Sequence, residues 1–169
     1  MKKITIVFFN LFMAFLVTSC FWNRPEDAPP PTFPNQYTPV IIDRTILESS
    51  VVAKPIQAIV KSGKIYIKDN LMFLNDVNKG FHIYDYSNAS SPVKIGFINI
   101  PGATDLAIRN NSLYINQATD LVTLSYNSSN NSIEILNRDK NVFPQKKSPN
   151  GVNIATLTVN QIVIDWTKN

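Results

Sequence analysis

Residues 68–75 have the sequence KDNLMFLN, and a matching stretch, NNSLYINQ, occupies residues 110–117, an offset of 42 residues. In both stretches a polar pair, Asp69-Asn70 or Asn111-Ser112, stands before a short run of apolar and aromatic residues, LMFL at 71–74 or LYI at 113–115. Two-residue polar linkers favour tight β-hairpins, and short runs of this kind bounded by polar residues are typical of strands. The two stretches therefore predict the same hairpin twice in the chain.

A second set of matching stretches extends this repeat. FHIYDY at residues 81–86 aligns with LVTLSY at residues 121–126, and VKI at residues 93–95 aligns with IEI at residues 133–135, both at an offset of 40. The two-residue change in offset falls in the loop between the matching stretches, where such changes are tolerated. The chain thus contains two copies of one supersecondary unit.

Each copy contains four short runs rich in β-branched and aromatic residues and bounded by Asn, Asp, Ser and Gly, a pattern typical of strands. The eight predicted strands are Ile65–Lys68, Leu71–Asn75, Phe81–Asp85, Val93–Ile100, Leu106–Arg109, Leu113–Asn116, Leu121–Tyr126 and Ile133–Asn137. Four strands in a unit of this length are typical of one blade of a β-propeller. Because no run after residue 40 has helical periodicity, the expected fold class is all-β, a partial β-propeller of about two four-stranded blades.

The segments that flank the repeats predict further strands. Val40–Leu47 is predicted as an extra strand, and Val152–Val159 with Ile162–Trp166 as a C-terminal β-hairpin that follows a polar loop. A propeller closes with at least four blades, so two repeats leave the ring open. We expect Val40–Leu47 to cover one edge and Ile162–Trp166 the other, with the open blade faces favouring self-association or a protein partner.

The alternation also predicts which side chains face the core. Matched positions of the two copies are expected to point inward, namely Leu71, Phe73, Phe81, Ile83, Leu113, Ile115 and Leu121.

The N-terminus has the pattern of a secreted, lipid-modified protein. Lys2 and Lys3 precede an apolar run at residues 4–17 that is too short to span a bilayer comfortably and suits a signal peptide. The sequence VTSC at residues 17–20 resembles the bacterial lipobox, in which the cysteine takes the lipid. Because Cys20 is the only cysteine of the chain, we predict lipidation at Cys20, including a palmitate-type acyl chain. The alternative is an ordinary secretory signal.

A proline-rich segment follows the predicted lipid. Residues 20–39 hold six of the eleven prolines, which favours an extended conformation that spans at most about 55 Å. The predicted organisation is therefore a signal peptide at 1–19, the lipidated cysteine and linker at 20–39, the two repeats at 40–143, and a loop with the terminal hairpin at 144–169.

Composition excludes several classes of function. The formal net charge is +4, and removal of Lys2 and Lys3 leaves 14 basic and 12 acidic residues, too small an excess to indicate nucleic-acid binding. One cysteine and one histidine exclude a disulfide framework, a cysteine zinc cluster and a two-histidine metal site. With five glycines and no phosphate-cradling or calcium loop, we expect no cofactor-binding or metal-binding residues.

The repeats resemble the LVIVD-repeat family of bacterial lipoproteins. The resemblance lies in FHIYD at residues 81–85, the SNASSP turn at 87–92, the strands LMF at 71–73 and LYI at 113–115, and the link PGATDLA at 101–107. It implies propeller-like repeats in a lipid-anchored envelope protein. The second copy departs from the family pattern at Ser125 and Ser132, where the family has Asp and Pro.

The candidate catalytic residues do not form a recognisable motif. His82 lies on the strand face opposite Phe81 and Ile83, and with no carboxylate or nucleophile identifiable beside it we interpret it as a half-buried strand residue. Asp85 ends the same strand and is interpreted as a turn former, with metal ligation as the alternative. No catalytic residue is therefore assigned.

Two larger groups of side chains are candidates for a binding or catalytic site. No spacing selects a glycosidase pair among Asp76, Asp105, Asp120 and Asp139. A sugar-stacking or protein-binding surface could be formed by Tyr66, Tyr84, Tyr86, Tyr114 and Tyr126, although these residues also fit a half-buried sheet.

The expected function is a non-enzymatic interaction or scaffolding module anchored in the cell envelope. We expect the protein to contact the membrane through its N-terminal lipid and to be located at the outer membrane. Both the periplasmic face and the cell surface are possible locations. No small-molecule ligand is assigned. One alternative is a carbohydrate-binding or hydrolytic accessory lipoprotein with a site on the propeller face. A second is a truncated remnant of a longer LVIVD-repeat protein.

Overall fold

The computed structural model describes residues 36–151 and 156–169, which belong to the compact unit Asn35–Asn169. The predicted signal peptide, Cys20 and the linker up to residue 35 lie outside the described residues. Within those two ranges, none of the helices has the length and apolar character needed to cross a bilayer.

The described chain is all-β with one short helix. It begins with β1 (Tyr37–Asp43), α1 (Arg44–Ser49) and β2 (Val52–Lys54). The remaining strands are β3 (Ser62–Lys68), β4 (Leu71–Asp76), β5 (Gly80–Asp85), β6 (Val93–Asn99), β7 (Ala103–Arg109), β8 (Ser112–Gln117), β9 (Asp120–Asn127), β10 (Ser132–Asp139) and β11 (Gln161–Lys168). All eight predicted repeat strands are confirmed as β3 to β10.

These strands form three antiparallel sheets, and none of the described sheets closes into a barrel. The first sheet has the order β2-β6-β5-β4-β3, and the second has the order β10-β9-β8-β7. Each repeat is thus a four-stranded meander, with β2 added at the outer edge of the first. The terminal sheet pairs β1 with β11.

The first and second sheets pack face to face around one apolar core. Phe73 of the first sheet meets Tyr126 of the second edge to face, with ring centroids 6.4 Å apart. The core also contains buried side chains from both sheets, including Phe81, Ile83, Ile98, Leu106, Leu113, Ile115, Val122 and Leu124. Face-to-face packing of half-apolar sheets is how such meanders remove their apolar faces from water.

Polar contacts fix which edges of the two sheets lie together. On β3, Lys64 forms an ion pair with Asp105 of β7 at 2.7 Å. At the other edge, the Asn131 side chain of the β9–β10 turn donates to the carbonyl of Lys54 in β2 at 3.1 Å. The Asn131 side chain has room there because the neighbouring residue, Gly96, has no side chain. A Cβ at position 96 would lie 2.3 Å from the Asn131 side-chain oxygen.

The predicted core face is confirmed except at one position. Leu71 packs against the core, and the five residues from Phe73 to Ile115 in the predicted set are buried. The prediction for Leu121 is wrong, because Ile115 pairs with Val122, which is 0% exposed and faces the core instead. Phe73 and its pair Ile83 are 10 residues apart, whereas Ile115 and its pair Val122 are 7 apart, so the offset falls from 42 at Phe73 to 39 at Ile83.

The second hairpin turn also differs by one residue from its prediction. It consists of Asn110-Asn111, and Ser112 begins β8. Asp69 and Asn110, the first residues of the two turns, have positive φ angles of 52° and 54°. Asp and Asn adopt this left-handed conformation more readily than most residues, which explains their placement at both turns.

The predicted terminal strands are corrected. The strand predicted at Val40–Leu47 begins earlier, at Tyr37, and ends at Asp43. Helix α1 follows from Arg44 and places Leu47 in a second small core. No described residue of 156–160 is in a strand, so the predicted C-terminal hairpin is replaced by pairing of β11 with β1. Residues 152–155 lie outside the described ranges.

The terminal sheet therefore does not cover two separate edges. Its second core joins Ile162 of β11 and Leu47 of α1 to Ala118 in the β8–β9 loop. Two edge strands satisfy each other's backbone groups by pairing, which neither would do alone.

Candidate binding cleft

A cleft of about 210 Å³ opens between the first and second sheets at the end that carries the β3–β4 and β7–β8 turns. Its position follows from the repeat, because matching hairpins of two packed meanders place matching turns side by side. The cleft is the place where the shared core of the two sheets reaches the surface.

The floor of the cleft is apolar. It is formed by Leu71, Phe73, Ile108, Leu113 and Tyr126. The Tyr126 hydroxyl donates to Asn131 at 3.1 Å, and burial raises the pKa of this phenol. Tyr126 is therefore a neutral hydrogen-bonding group at the edge of an apolar surface.

The rim of the cleft is polar and comes from the two turns. It is formed by Lys68, Asp69, Asn70, Asn110 and Asn111. Lys68 and Asp69 neutralise each other in an ion pair of 2.5 Å. Within the described chain, no side-chain hydrogen bond satisfies the amides of Asn70, Asn110 or Asn111. The rim thus offers three amides, each with donors and an acceptor, to a ligand.

This combination suits a small ligand that is neutral overall. Apolar walls with a few convergent polar groups are the usual makeup of a small-molecule site. The volume admits one ring-sized group, the floor would contact its carbon skeleton, and the amides would contact its polar substituents. The cleft contains no unpaired charge that would select an ion.

The sequence interpretation of His82 as half-buried and without a carboxylate partner is wrong. His82 is 0% exposed, and its Nε2 lies 3.1 Å from Asp76 Oδ2. The carboxylate also accepts the backbone N–H groups of Val60 and Lys61 at 2.8 and 2.7 Å.

Asp76 is an ionised acceptor in this arrangement. Burial raises its pKa, but the two backbone hydrogen bonds and the one from His82 outweigh burial and hold the pKa below its ordinary value. The His82 Nε2–H therefore donates to the carboxylate. Both side chains are buried, and Asp76 bonds two N–H groups of the loop at residues 55–61, so the pair fixes this loop on the sheet.

The other aspartates stay apart. Asp85 accepts the backbone N–H of Ser87 at 2.9 Å, which confirms the turn role. Asp105 binds Lys64 and Tyr66, and burial together with Asp105 raises the pKa of Tyr66 to about 12. The exposed Asp139 accepts only the side chain of Asn137 at 3.0 Å. In the described part of the chain, none of these aspartates is hydrogen-bonded to a second carboxylate.

Asp120 forms a buried ionic cluster that holds the N-terminal helix on the second sheet. It is 0% exposed and accepts Arg44 of α1 at 2.8 Å and Arg138 of β10 at 2.9 Å. Burial raises the pKa of Asp120, but the Asn141 backbone N–H and both guanidinium groups outweigh burial and lower it. The cluster is structural because Asp120 accepts both guanidinium groups and the backbone N–H of Asn141, which joins α1 to the second sheet.

The five tyrosines do not form one surface. Tyr66 and Tyr126 pack against the core. Tyr84 lies on the outer face of the first sheet, opposite Met72, and Tyr114 lies on the outer face of the second sheet, opposite Thr123. Tyr86 follows β5, and its backbone N–H donates to the carbonyl of Asn70. Among the described residues, no group of three or more His, Cys, Asp or Glu side chains is placed to hold a metal ion.

Sequence reasoning missed the rim amides because it assigned Asn70 and Asn111 only to turns. The signal was present in the repeat itself. Two matching hairpins in adjacent meanders bring their turns together, so both asparagine-containing turns border one opening.

Comparison with known proteins gives no further constraint. No family model, curated protein or solved structure matches this chain.

Proposed function

We propose that the chain is a lipid-anchored protein of the bacterial cell envelope whose folded part is a non-enzymatic binding module. The cleft between the two sheets is the observation that carries the binding role. It is apolar at its floor and neutral at its rim, and its amides are free to meet a ligand. Such a site is suited to recognition rather than to bond-breaking chemistry.

We also propose that the two sheets are adjacent blades of a partial β-propeller related to the LVIVD-repeat family. Three features support this interpretation: each repeat is a four-stranded meander, consecutive meanders pack face to face, and β3 lies beside β7 as inner strands of neighbouring blades do. The connection from β6 to β7 is short, as expected between blades.

The proposed anchor is a lipid on Cys20, followed by the proline-rich linker. Two or more acyl chains hold a protein on a membrane far more firmly than one, so the module would stay at the envelope surface, with the outer membrane as the proposed site. The support is the apolar run at residues 4–17 followed by VTSC.

Metabolic labelling with a tagged fatty acid tests the anchor. The wild-type chain should incorporate the tag and the Cys20→Ala variant should not, because the only thiol of the chain would be gone. Ser19→Ala serves as the matched control and should still label, since alanine is also small. Equal labelling of wild type and Cys20→Ala would refute lipidation at this position.

Carbohydrate binding is a second candidate, favoured by the three free amides around an apolar floor. A panel of uncharged glycans should then bind the mature chain, and Asn70→Ala or Asn111→Ala should weaken binding about tenfold, since leaving a polar ligand group unpaired costs about 1–3 kcal/mol. Asn88→Ala, in an exposed turn whose residues do not line the cleft, should bind normally. If all three variants bind glycans as tightly as the wild type, the sugar binds outside the cleft.

A further inference from the structure

The outer face of the first sheet, turned away from the second sheet, is crossed by a loop. Residues 55–61 leave β2 at one edge of the sheet and enter β3 at the opposite edge. The loop is held down by the bonds from Val60 and Lys61 to Asp76, and the carbonyl of Gln57 accepts Lys94 at 3.2 Å. The surface of this face is therefore made by the loop together with β3.

Five aliphatic side chains stand out from this surface and are between 43% and 74% exposed. They are Ile56, Ile59, Val60, Ile65 and Ile67, here called the aliphatic patch. Ile65 and Ile67 flank Tyr66, which packs on the core, so alternation turns both isoleucines outward. Contiguous exposed apolar groups of this kind mark a surface that binds something.

The corresponding face of the second sheet has a different character. On β8 and β9 its outward positions carry mainly polar side chains, among them Asn116, Thr123 and Ser125, and the exposed aliphatic side chains of this sheet, Ile135 and Leu136, lie on the edge strand β10. The aliphatic patch is therefore larger than the exposed aliphatic group of the second sheet.

Positive charge borders the aliphatic patch. Residues 54–68 contain four lysines and no acidic residue. Lys64 and Lys68 are paired with Asp105 and Asp69. In the described part of the chain no carboxylate pairs with Lys54, Lys61 or Lys94, since Lys54 donates to the Asn99 amide and Lys94 to a carbonyl.

We infer that the aliphatic patch docks on the surface of an anionic phospholipid bilayer. Branched aliphatic side chains enter the boundary between headgroups and acyl chains, while lysines beside them meet the phosphates. A protein partner is a poorer fit, because protein interfaces are depleted in lysine. The charge pattern thus favours lipid over a second copy of the chain.

This inference rests on the proposed lipid anchor, which would keep the patch near a membrane. The segment from Cys20 to Tyr37 spans at most about 50 Å when extended. Confinement within that distance raises the effective concentration of the bilayer surface, so a patch of low intrinsic affinity suffices. The linker would then limit how far the module leaves the surface and allow it to rest there.

Depth-dependent quenching tests the docking. The acylated mature chain is reconstituted in phosphatidylcholine vesicles, with or without phosphatidylglycerol, and Ile59→Cys provides the one free thiol for an environment-sensitive fluorophore. Nitroxide-labelled lipid should quench this probe strongly in the anionic vesicles. The matched control is Leu136→Cys on β10, whose native side chain is 50% exposed, and its probe should stay unquenched.

We expect docking on the vesicles to depend on the positive charge beside the aliphatic patch. Adding Lys61→Gln to Ile59→Cys should lower the ratio of docked to undocked protein about fivefold, and high salt should lower it further. Equal quenching at positions 59 and 136, or none at 59, would overturn the inference. A probe shielded from water but not quenched by lipid would show a second copy on the patch and would also overturn it. Failure of the anchor itself would appear earlier, as absent labelling of Cys20.

Discussion

At the residue scale, the histidine and aspartate of the first sheet explain how an irregular loop is held on a strand surface. Asp76 sits at the end of β4 and His82 two positions along the neighbouring strand, on the same outer face. One carboxylate satisfies two loop N–H groups and one imidazole N–H. A buried carboxylate is tolerated because each oxygen has hydrogen-bond donors.

This contact predicts a pH-dependent stability. The folded pKa of Asp76 is lowered, so its contribution is complete above the unfolded pKa of about 3.9 and is lost as the pH falls through the folded value. Asp76→Asn should lower the unfolding free energy at neutral pH by about 1–3 kcal/mol, and the gap to wild type should narrow in acid.

Denaturant titrations of the mature chain at several pH values measure this gap. Asp139→Asn is the matched control, because Asp139 is exposed and bonds only Asn137. A gap between wild type and Asp76→Asn that stays constant down to acid pH would argue against an ionised Asp76 in the folded state.

The sequence could not predict this pair by itself. Alternation predicts the correct face for His82 but not its burial or its bond to Asp76, because the loop that Asp76 holds, residues 55–61, has no periodic pattern. The register of the β4–β5 hairpin would have brought Asp76 near His82. The loop that Asp76 holds connects β2 to β3 across the sheet. Local sequence patterns do not predict such a long-range connection.

At the element scale, short runs of β-branched and aromatic residues bounded by turn residues predicted the eight repeat strands. Two short elements were missed. Helix α1 is six residues long and β2 three, too short to show a period. The partner of β11 was also missed, since pairing of the first and last strands depends on chain ends that are far apart in sequence.

The corrected register of β9 gives a test at this scale. Val122→Ala should lower the unfolding free energy by about 2 kcal/mol, because it leaves a cavity in the shared core. Leu121→Ala removes more atoms, but from a half-buried outer position, and should cost about 1 kcal/mol or less. Thermal melts of the two variants compare them directly. A larger loss for Leu121→Ala would favour the offset of 40 over 39.

At the scale of the whole molecule, the first and second sheets are held together by one core and by polar contacts at both edges. Phe73 and Tyr126 meet at the floor of the cleft, and the Asn131 and Lys64 contacts close the two edges. The cleft depends on this joint body, because both repeats contribute residues to its rim. The repeat predicted two similar units, but only the structure shows which faces meet.

The central claim is that the two repeats fold as one body with the binding cleft between them. Native-state hydrogen exchange of the mature chain tests it at Ile83 and Val122, equivalent buried positions of β5 and β9. Both amides should exchange through the same global opening. Phe73→Ala, in the first sheet, should lower the free energy of protection of the two amides equally, by about 3–5 kcal/mol. Lys68→Ala, at the rim, should leave the protection of both amides nearly unchanged. Loss of protection in β5 with β9 unchanged would show that the sheets open independently and would contradict the claim.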